Sequence, residues 1–427
     1  MASFVNVAWS IGKASPGLSL SPDMLSLTVG QTAEVTARWD GGGTLSVTSG
    51  DTGKATVAVN GGTVRVTGMA EGSVTLTFTV GETANYGAQT VTMMATIGAS
   101  VSKLVYYGTL PSLSAAREYM GGASVGNYAV FAGGIRGSST TYRNADAYNT
   151  ALTRTTAPDL GYGGSCVGTE AGTAYALFSG FSTYTGRVQG YSASLTRADA
   201  ANRSVGSSGI AAASVGNYAL LGGGTDDTMD AYNDALTKTQ PSPHPIVPAR
   251  TYLAGAGNGS YAIFAGGLDV NVAYSAKVDA YDASLTRSAP GSALSVARWH
   301  FAGARAGDKA VFAGGYAPSS PQSAVDAYDT TLTRFLPSPL TGGRSYLAGA
   351  STGGYAVFAG GGKEGGVAAG AEAYDASLTR SIPGEMSAAR WNLAGARIGG
   401  SRYAAFAGGD NGYTTHYATV DAYLENE

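Results

Sequence analysis

The sequence predicts an all-β chain in two parts: a small antiparallel sandwich, then a seven-bladed β-propeller whose last blade borrows its outer strand from the start of the repeat region. Three observations predict this. A glycine-paired segment occurs seven times, its copies recur every 43 to 48 residues, and the hundred residues before them follow a different, alternating pattern.

The segment Tyr-Ala-x-Phe-Ala-Gly-Gly stands at 128–134, 261–267, 355–361 and 403–409, with looser copies at 175–181, 218–224 and 309–315. The penultimate residues, Gly133, Gly180, Gly223, Gly266, Gly314, Gly360 and Gly408, are 47, 43, 43, 48, 46 and 48 apart, the period of a propeller blade. Upstream of the glycine pairs run small-residue stretches such as Tyr-Leu-Ala-Gly-Ala (252–256 and 346–350) and Phe-Ala-Gly-Ala (301–304). Inner strands converging on an axis have little room, and glycine or alanine lets their backbones approach. The next strand is apolar on both faces because neighbouring blades cover both. Each unit then reads as a four-stranded meander: inner strand a, apolar strand b ending in Gly-Gly, strand c with Asp-Ala-Tyr, and outer strand d with Leu-Thr-Arg.

In the fourth copy Asp279-Ala280-Tyr281 precedes Leu285-Thr286-Arg287. A tight hairpin sets Asp279 opposite Arg287 and Tyr281 opposite Leu285, an ion pair and an apolar pair on one sheet face, each contributing roughly 0.2–1 kcal/mol. The same register pairs Asp146 with Arg154, Asp230 with Lys238, Asp326 with Arg334 and Glu372 with Arg380, while Gln189 faces Arg197. These charges read as structural. The seventh copy reaches Asp421-Ala422-Tyr423 with no Leu-Thr-Arg after it, and a three-stranded blade exposes an edge. Leu104-Val105-Tyr106 precedes Arg117 by about the interval from Leu378 to Arg390. Residues near 103–107 are therefore expected to complete the last blade, leaving Asp421 with Lys103 as its nearest basic partner.

A Gly-Gly after a hydrophobic strand, with an aromatic about a dozen residues later, resembles the kelch repeat over roughly 103–427. One feature departs from it: the tryptophan usual on the outer strand is replaced by Leu-Thr-Arg. Residues 18–99 read as short alternating strands with turn signals at 41–43 and 60–62. Leu25-x-Leu27-x-Val29-Gly30, Ala55-x-Val57 and Gly68-x-x-x-Gly72-Ser73-Val74-x-Leu76 resemble the bacterial Ig-like domains of adhesins and bacteriophage virion proteins. The predicted organisation is an N-terminal strand or linker over 1–17, an Ig-like β-sandwich over 18–99, and a kelch-like propeller over 100–427. The linker is the expected attachment point to something larger.

Composition narrows the function. Only 13% of the 427 residues are charged, 26 basic against 29 acidic with no basic cluster, so the chain lacks the footprint of a nucleic-acid binder. No apolar run approaches the roughly 20 residues that span a bilayer, so membrane insertion is not expected. The start, Met1 to Gly17, has no basic region followed by an apolar core, and no signal peptide is read there. A single cysteine, Cys166, excludes an internal disulfide framework and a cysteine-rich zinc site.

In a meander the d–a and b–c loops share one face of the disc, and the c–d turns lie on the other. The gap from Gly pair to strand-c acid varies, 13 residues from Gly133 to Asp146 and seven from Gly223 to Asp230. Variable loops on a repeated scaffold are where such proteins bind. Five arginines, Arg117, Arg250, Arg298, Arg344 and Arg390, open strand a on that face, followed closely in four copies by Tyr252, Trp299, Tyr346 and Trp391. Two readings stand: a ring of forks and aromatic faces for an acidic or sugar ligand, or pairing between blades with the aromatics packed in the sheet. Propellers joined to Ig-like domains also occur in galactose oxidase and sialidases. His244, His300 and His416 fall in different blades, however, and neither a sialidase box nor a hydrolase, zinc or phosphate-loop motif is present.

The expectation is a non-enzymatic binding or adhesion protein without catalytic residues, metal or cofactor: a bacteriophage virion component (fibre, decoration or receptor-binding) at the virion or an extracellular surface. Its N-terminal region would join other virion or surface-assembly proteins, its propeller would meet a host-surface glycan or protein, and oligomerisation fits that role. A secreted carbohydrate-active or galactose-oxidase-like enzyme is the first alternative, and a structural spacer the second.

Overall fold

The computed structural model describes residues 12–98, 103–180, 186–241, 246–412 and 414–426, and among them there is no helix. The chain divides into two compact units, Met1–Val101 and Ser102–Glu427. In the first, alternation of buried and exposed side chains forms two four-stranded sheets. One orders Ser19–Ser21, Thr32–Arg38, Thr63–Gly68 and Ala55–Asn60; the other orders Leu25–Thr28, Gln89–Gly98, Gly72–Val80 and Leu45–Ser49. Their inward residues, Val35, Val64, Val66, Leu76 and Phe78 among them, fill one core and are fully buried. One pairing departs from the antiparallel expectation: Leu25–Thr28 runs parallel to Gln89–Gly98. The chain leaves Ser19–Ser21 in one sheet and enters the other after three residues, so it crosses between sheets instead of turning back in a hairpin. The attachment strand or linker expected over 1–17 falls, through residue 11, outside the described residues.

Among the described residues, the second unit holds seven four-stranded antiparallel sheets, each in the order a, b, c, d. In the first repeat these strands are Gly121–Val125, Tyr128–Ala132, Ala145–Tyr148 and Arg154–Ala157, and in the fourth Ala254–Gly257, Tyr261–Ala265, Val278–Asp282 and Arg287–Ser288. Each strand a lies against strand a of the next sheet, and the seventh lies against the first, so the sheets close a propeller-like ring. Apolar packing follows that ring. Instead of one core there are clusters between successive sheets: one joins Ile263 and Ala280 to Phe312 and Tyr328, and another joins Phe131 and Tyr148 of the first repeat to Ala405 and Val420 of the last. The strand-b phenylalanines are fully buried and meet the strand-c tyrosines edge-on, with ring centroids 5.8–6.3 Å apart. Burying each such ring stabilises by roughly 1.5–3 kcal/mol.

The Gly-Gly pair is a joint between repeats. Gly266 and Gly267 have φ of 62° and 98°, values glycine adopts without the Cβ penalty. The Gly267 N–H donates to Arg298 O of the next repeat at 2.9 Å, and a Cβ on Gly266 would lie 2.6 Å from that carbonyl. The same bond runs from Gly409 to Arg117 at 2.9 Å, closing seventh to first.

Two expectations about the outer strands are corrected. The c–d hairpin sets Tyr281, not Asp279, opposite Arg287. Leu285 takes a left-handed φ of 61° and donates to Asp282 O, while Asp282 Oδ1 accepts from Ser284 N and Thr286 N. This turn with a left-handed bulge residue advances the register, so the Arg287–Asp279 ion pair forms along the diagonal and Leu285 packs into the core between the third and fourth sheets. Leu152, Leu195, Leu236, Leu332 and Leu378 repeat the conformation. At the closure, Leu104–Leu110 supplies strand d of the seventh sheet, antiparallel to Val420–Glu425. Asp421 does not turn to Lys103: it pairs with Arg390 at 2.6 Å and accepts from the Tyr106 hydroxyl at 2.7 Å.

Candidate functional site

The d–a and b–c connections meet on one face, where Glu118 bridges to Ile135, Trp299 to Tyr316, Ser345 to Gly362 and Trp391 to Asp410. The five strand-a arginines begin there, but they do not present forks to a ligand. Arg117, Arg250, Arg298 and Arg390 are 0% exposed and Arg344 is 5% exposed. Each is paired inside its own repeat. Arg117 reaches Asp146 at 2.8 Å, Arg298 reaches Asp326 at 2.9 Å, Arg344 reaches Glu372 at 2.9 Å, Arg390 reaches Asp421 at 2.6 Å, and Arg250 is joined to Asp279. The guanidinium also donates to the carbonyl where strand b ends, Arg117 to Phe131 O and Arg344 to Gly360 O. The ligand reading of these arginines is therefore corrected, and so is pairing between blades. A buried cation requires a partner, and the nearest acid lies on strand c of the same sheet.

The acid is held by a further group in four of the five copies, Val247 standing at the equivalent position before Arg250. A serine or threonine three residues before the arginine gives its N–H and hydroxyl to the same acid: Ser114 to Asp146, Ser295 to Asp326, Thr341 to Glu372 and Ser387 to Asp421. In the second repeat, Gln189 replaces the acid and accepts from Gly161 N at 2.9 Å. In the third, Arg203 lies 3.9 Å from Asp230.

Two residues beyond each arginine the chain reaches the axis. Tyr119, Tyr252, His300, Tyr346 and Asn392 have φ between 49° and 55°, a left-handed conformation costing roughly 1–2 kcal/mol each. Bonds between repeats hold them. Tyr252 N donates to Gly209 O, His300 N to Tyr252 O, Tyr346 N to His300 O, Asn392 N to Tyr346 O and Tyr119 N to Asn392 O, over 2.7–3.3 Å. These residues form the rim of an axial cavity of about 590 Å³. Its floor is one side chain per repeat: Met120, Cys166, Ile210, Leu253, Phe301, Leu347 and Leu393. Beneath stands a ring of glycines with Ala212, so crowded that a Cβ on Gly122, Gly168, Gly255, Gly303, Gly349 or Gly395 would lie 2.2–2.6 Å from a neighbouring carbonyl oxygen.

The rim is aromatic along one arc. His300 stacks on Tyr346 at 3.9 Å and leans on Tyr252 at 4.4 Å, and Tyr252 meets Trp299 edge-on at 5.3 Å. Tyr252, Trp299 and Tyr346 thus line the cavity. Trp391 stands behind them, 5.3 Å from Tyr346, with its indole N–H donating to Asp410 at 2.6 Å.

No described residue lining the cavity is an aspartate, glutamate, lysine or arginine. Burial holds His300 down at about 3. Burial pushes the Cys166 thiol up to about 12, and that thiol donates to Ala132 O at 3.1 Å. Behind Asn392 lies a carboxyl pair. Its amide donates to Asp410 Oδ2 at 2.9 Å and to Glu118 Oε2 at 3.3 Å, and His416 Nε2 is 3.3 Å from Glu118 Oε1. Burial, then the Asp410 carboxyl, pushes Glu118 up to about 8, while hydrogen bonds from Glu118, Trp391 and Asn392 hold Asp410 below the usual range. Of the histidines, His244 lies outside the described residues. Among those described, no group of three or more His, Cys, Asp or Glu side chains is placed to hold a metal.

Sequence reasoning missed Tyr119, His300 and Asn392. Their signal was the position two residues after a strand-a arginine, which Tyr252 and Tyr346 share and which is blurred when Trp299 and Trp391, one residue after theirs, are grouped with them.

An all-β ring of four-stranded sheets with an uncharged axial cavity defines the class. No family model matches the chain, and no curated protein does. Among solved structures, one of YjhT is similar over 73% of this chain and 95% of that one, with 12% identity and a TM-score of 0.48.

Proposed function

We propose that the chain is a non-enzymatic binding protein: a bacterial Ig-like sandwich joined to a seven-bladed kelch-type propeller whose axial cavity takes a ligand from a host surface. The observation that carries this reading is the cavity itself, with five rim side chains held by backbone bonds between repeats and a floor of one side chain from each of the seven repeats. Its described lining holds no aspartate, glutamate, lysine or arginine, and the nearby arginines are consumed by strand-c acids, an arrangement suited to recognition. The Ig-like motifs between Leu25 and Leu76 support the further reading of a bacteriophage virion component whose N-terminal region joins other virion proteins. Labelled full-length chain should decorate host cells, and antibody to it should decorate virions. Absence of both would remove this reading, and stoichiometric copper in the purified protein would replace it with an oxidase.

The Glu118–Asp410 pair favours a second reading, a carbohydrate-active enzyme. Two carboxyls whose affinities for a proton are pushed apart are the pattern of an acid and its partner. Both are 7% exposed and reach the cavity only through Asn392. Release of reducing sugar from a glycan panel, abolished in Glu118→Gln, would establish it.

A further inference from the structure

We propose that the axial cavity selects an uncharged sugar ring, free or at a glycan terminus, and rejects anionic sugars. The inference rests on the binding reading above and names the ligand class.

Volume comes first: about 590 Å³ lies within the usual range for small-ligand sites, roughly 300–1,000 Å³. The floor offers Leu253, Phe301, Leu347 and Leu393 to a ligand's apolar face. Tyr252 and Tyr119, 41% and 39% exposed, flank the mouth with ring faces and hydroxyls, and Ser165, Ser179 and Ser208 complete a lining of neutral polar groups. Two polar atoms on lining residues are buried without a partner: the Trp299 indole nitrogen, a donor, and Asn392 Oδ1, an acceptor. Buried polar atoms in native proteins nearly always find partners. These two leave the cavity wall one donor and one acceptor to be satisfied, a pair that a ring hydroxyl can complete. Apolar faces edged with hydroxyls belong to sugars.

Charge decides the class. A carboxylate entering this cavity would shed its water and meet no free cation, because Arg250, Arg298, Arg344 and Arg390 are already paired, and an unpaired ion is strongly disfavoured in such a place. The arginines that drew attention in the sequence thus argue against an acidic ligand.

The test uses the full chain and ligand-observed NMR with calorimetry. The neutral probes are methyl galactoside, methyl glucoside and N-acetylglucosamine, and the anionic ones glucuronate and N-acetylneuraminate. At least one neutral sugar should bind, with both anionic sugars at least about tenfold weaker. Tyr252→Asn keeps a residue tolerant of left-handed backbone, as Asn392 shows at the equivalent position, and should weaken the neutral sugar about tenfold with the thermal midpoint unchanged. Trp299→Phe should weaken it similarly while keeping the ring. Equal or tighter binding of an anionic sugar, no neutral binding, or neutral binding indifferent to both variants overturns the proposal. Host-cell adhesion is scored separately. Adhesion by a chain that binds no neutral sugar overturns the ligand class and leaves the binding reading standing; sugar binding without adhesion does the reverse.

Discussion

Arg250 is fully buried and its acid, Asp279, is 1% exposed, so removing one member leaves an uncompensated charge. Arg250→Met should cost about 3–5 kcal/mol by chemical denaturation, and adding Asp279→Leu should recover most of it, since replacing a buried pair by apolar groups is often neutral. His300 gives a pH signature. Its folded affinity for protons, at about 3 against an ordinary 6.5, means the unfolded chain binds the extra proton between those values. Its contribution to stability is present above pH 6.5 and is lost as pH falls toward 3. The thermal midpoint of His300→Asn should fall less steeply over that window than that of the parent.

At the scale of elements, the rim meets the b–c loops through Glu118, Asp410 and Asn392, and this junction titrates in the opposite sense. The folded chain keeps a proton on Glu118 up to about 8, where an unfolded glutamate loses it near 4.5. The contribution of Glu118 to stability is therefore full below pH 4.5 and declines as pH rises to about 8. Glu118→Gln imitates the protonated side chain and should flatten that decline in a series of melting curves. The c–d turn is a second element with its own test: Asp282 Oδ1 accepts two backbone N–H groups, and Asp282→Ala should cost roughly 1–3 kcal/mol. The turn also shows why register was misread. Spacing of Asp279 and Arg287 identified a hairpin and the shared face, but the left-handed Leu285 follows from its burial against neighbouring sheets, which no local spacing encodes.

For the whole molecule, stability depends on closure. Leu104–Leu110 pairs with Val420–Glu425, and Gly409 bonds Arg117 across the seam at 2.9 Å. Val105→Pro, opposite Leu424, should open the seventh sheet, lower the thermal midpoint and produce oligomers by size-exclusion chromatography through the exposed edge. The repeat, its period, the four strands of each unit and the need for a closing strand near residue 104 were legible in the sequence because sheet packing imposes the same residue types at every copy. The site was legible only in part. Tyr252, Trp299 and Tyr346 were found and do line the cavity, while the five arginines pointed to the wrong chemistry. A sequence shows that a charge is present at a strand end but not whether an acid some 29 residues on, as from Arg117 to Asp146, will fold back against it. Local composition by itself determined the strands, the glycine joints and the sevenfold order. The tertiary structure alone decided which side chains are spent on pairing and which face the axis, because burial and ion pairing are settled between residues far apart in the chain.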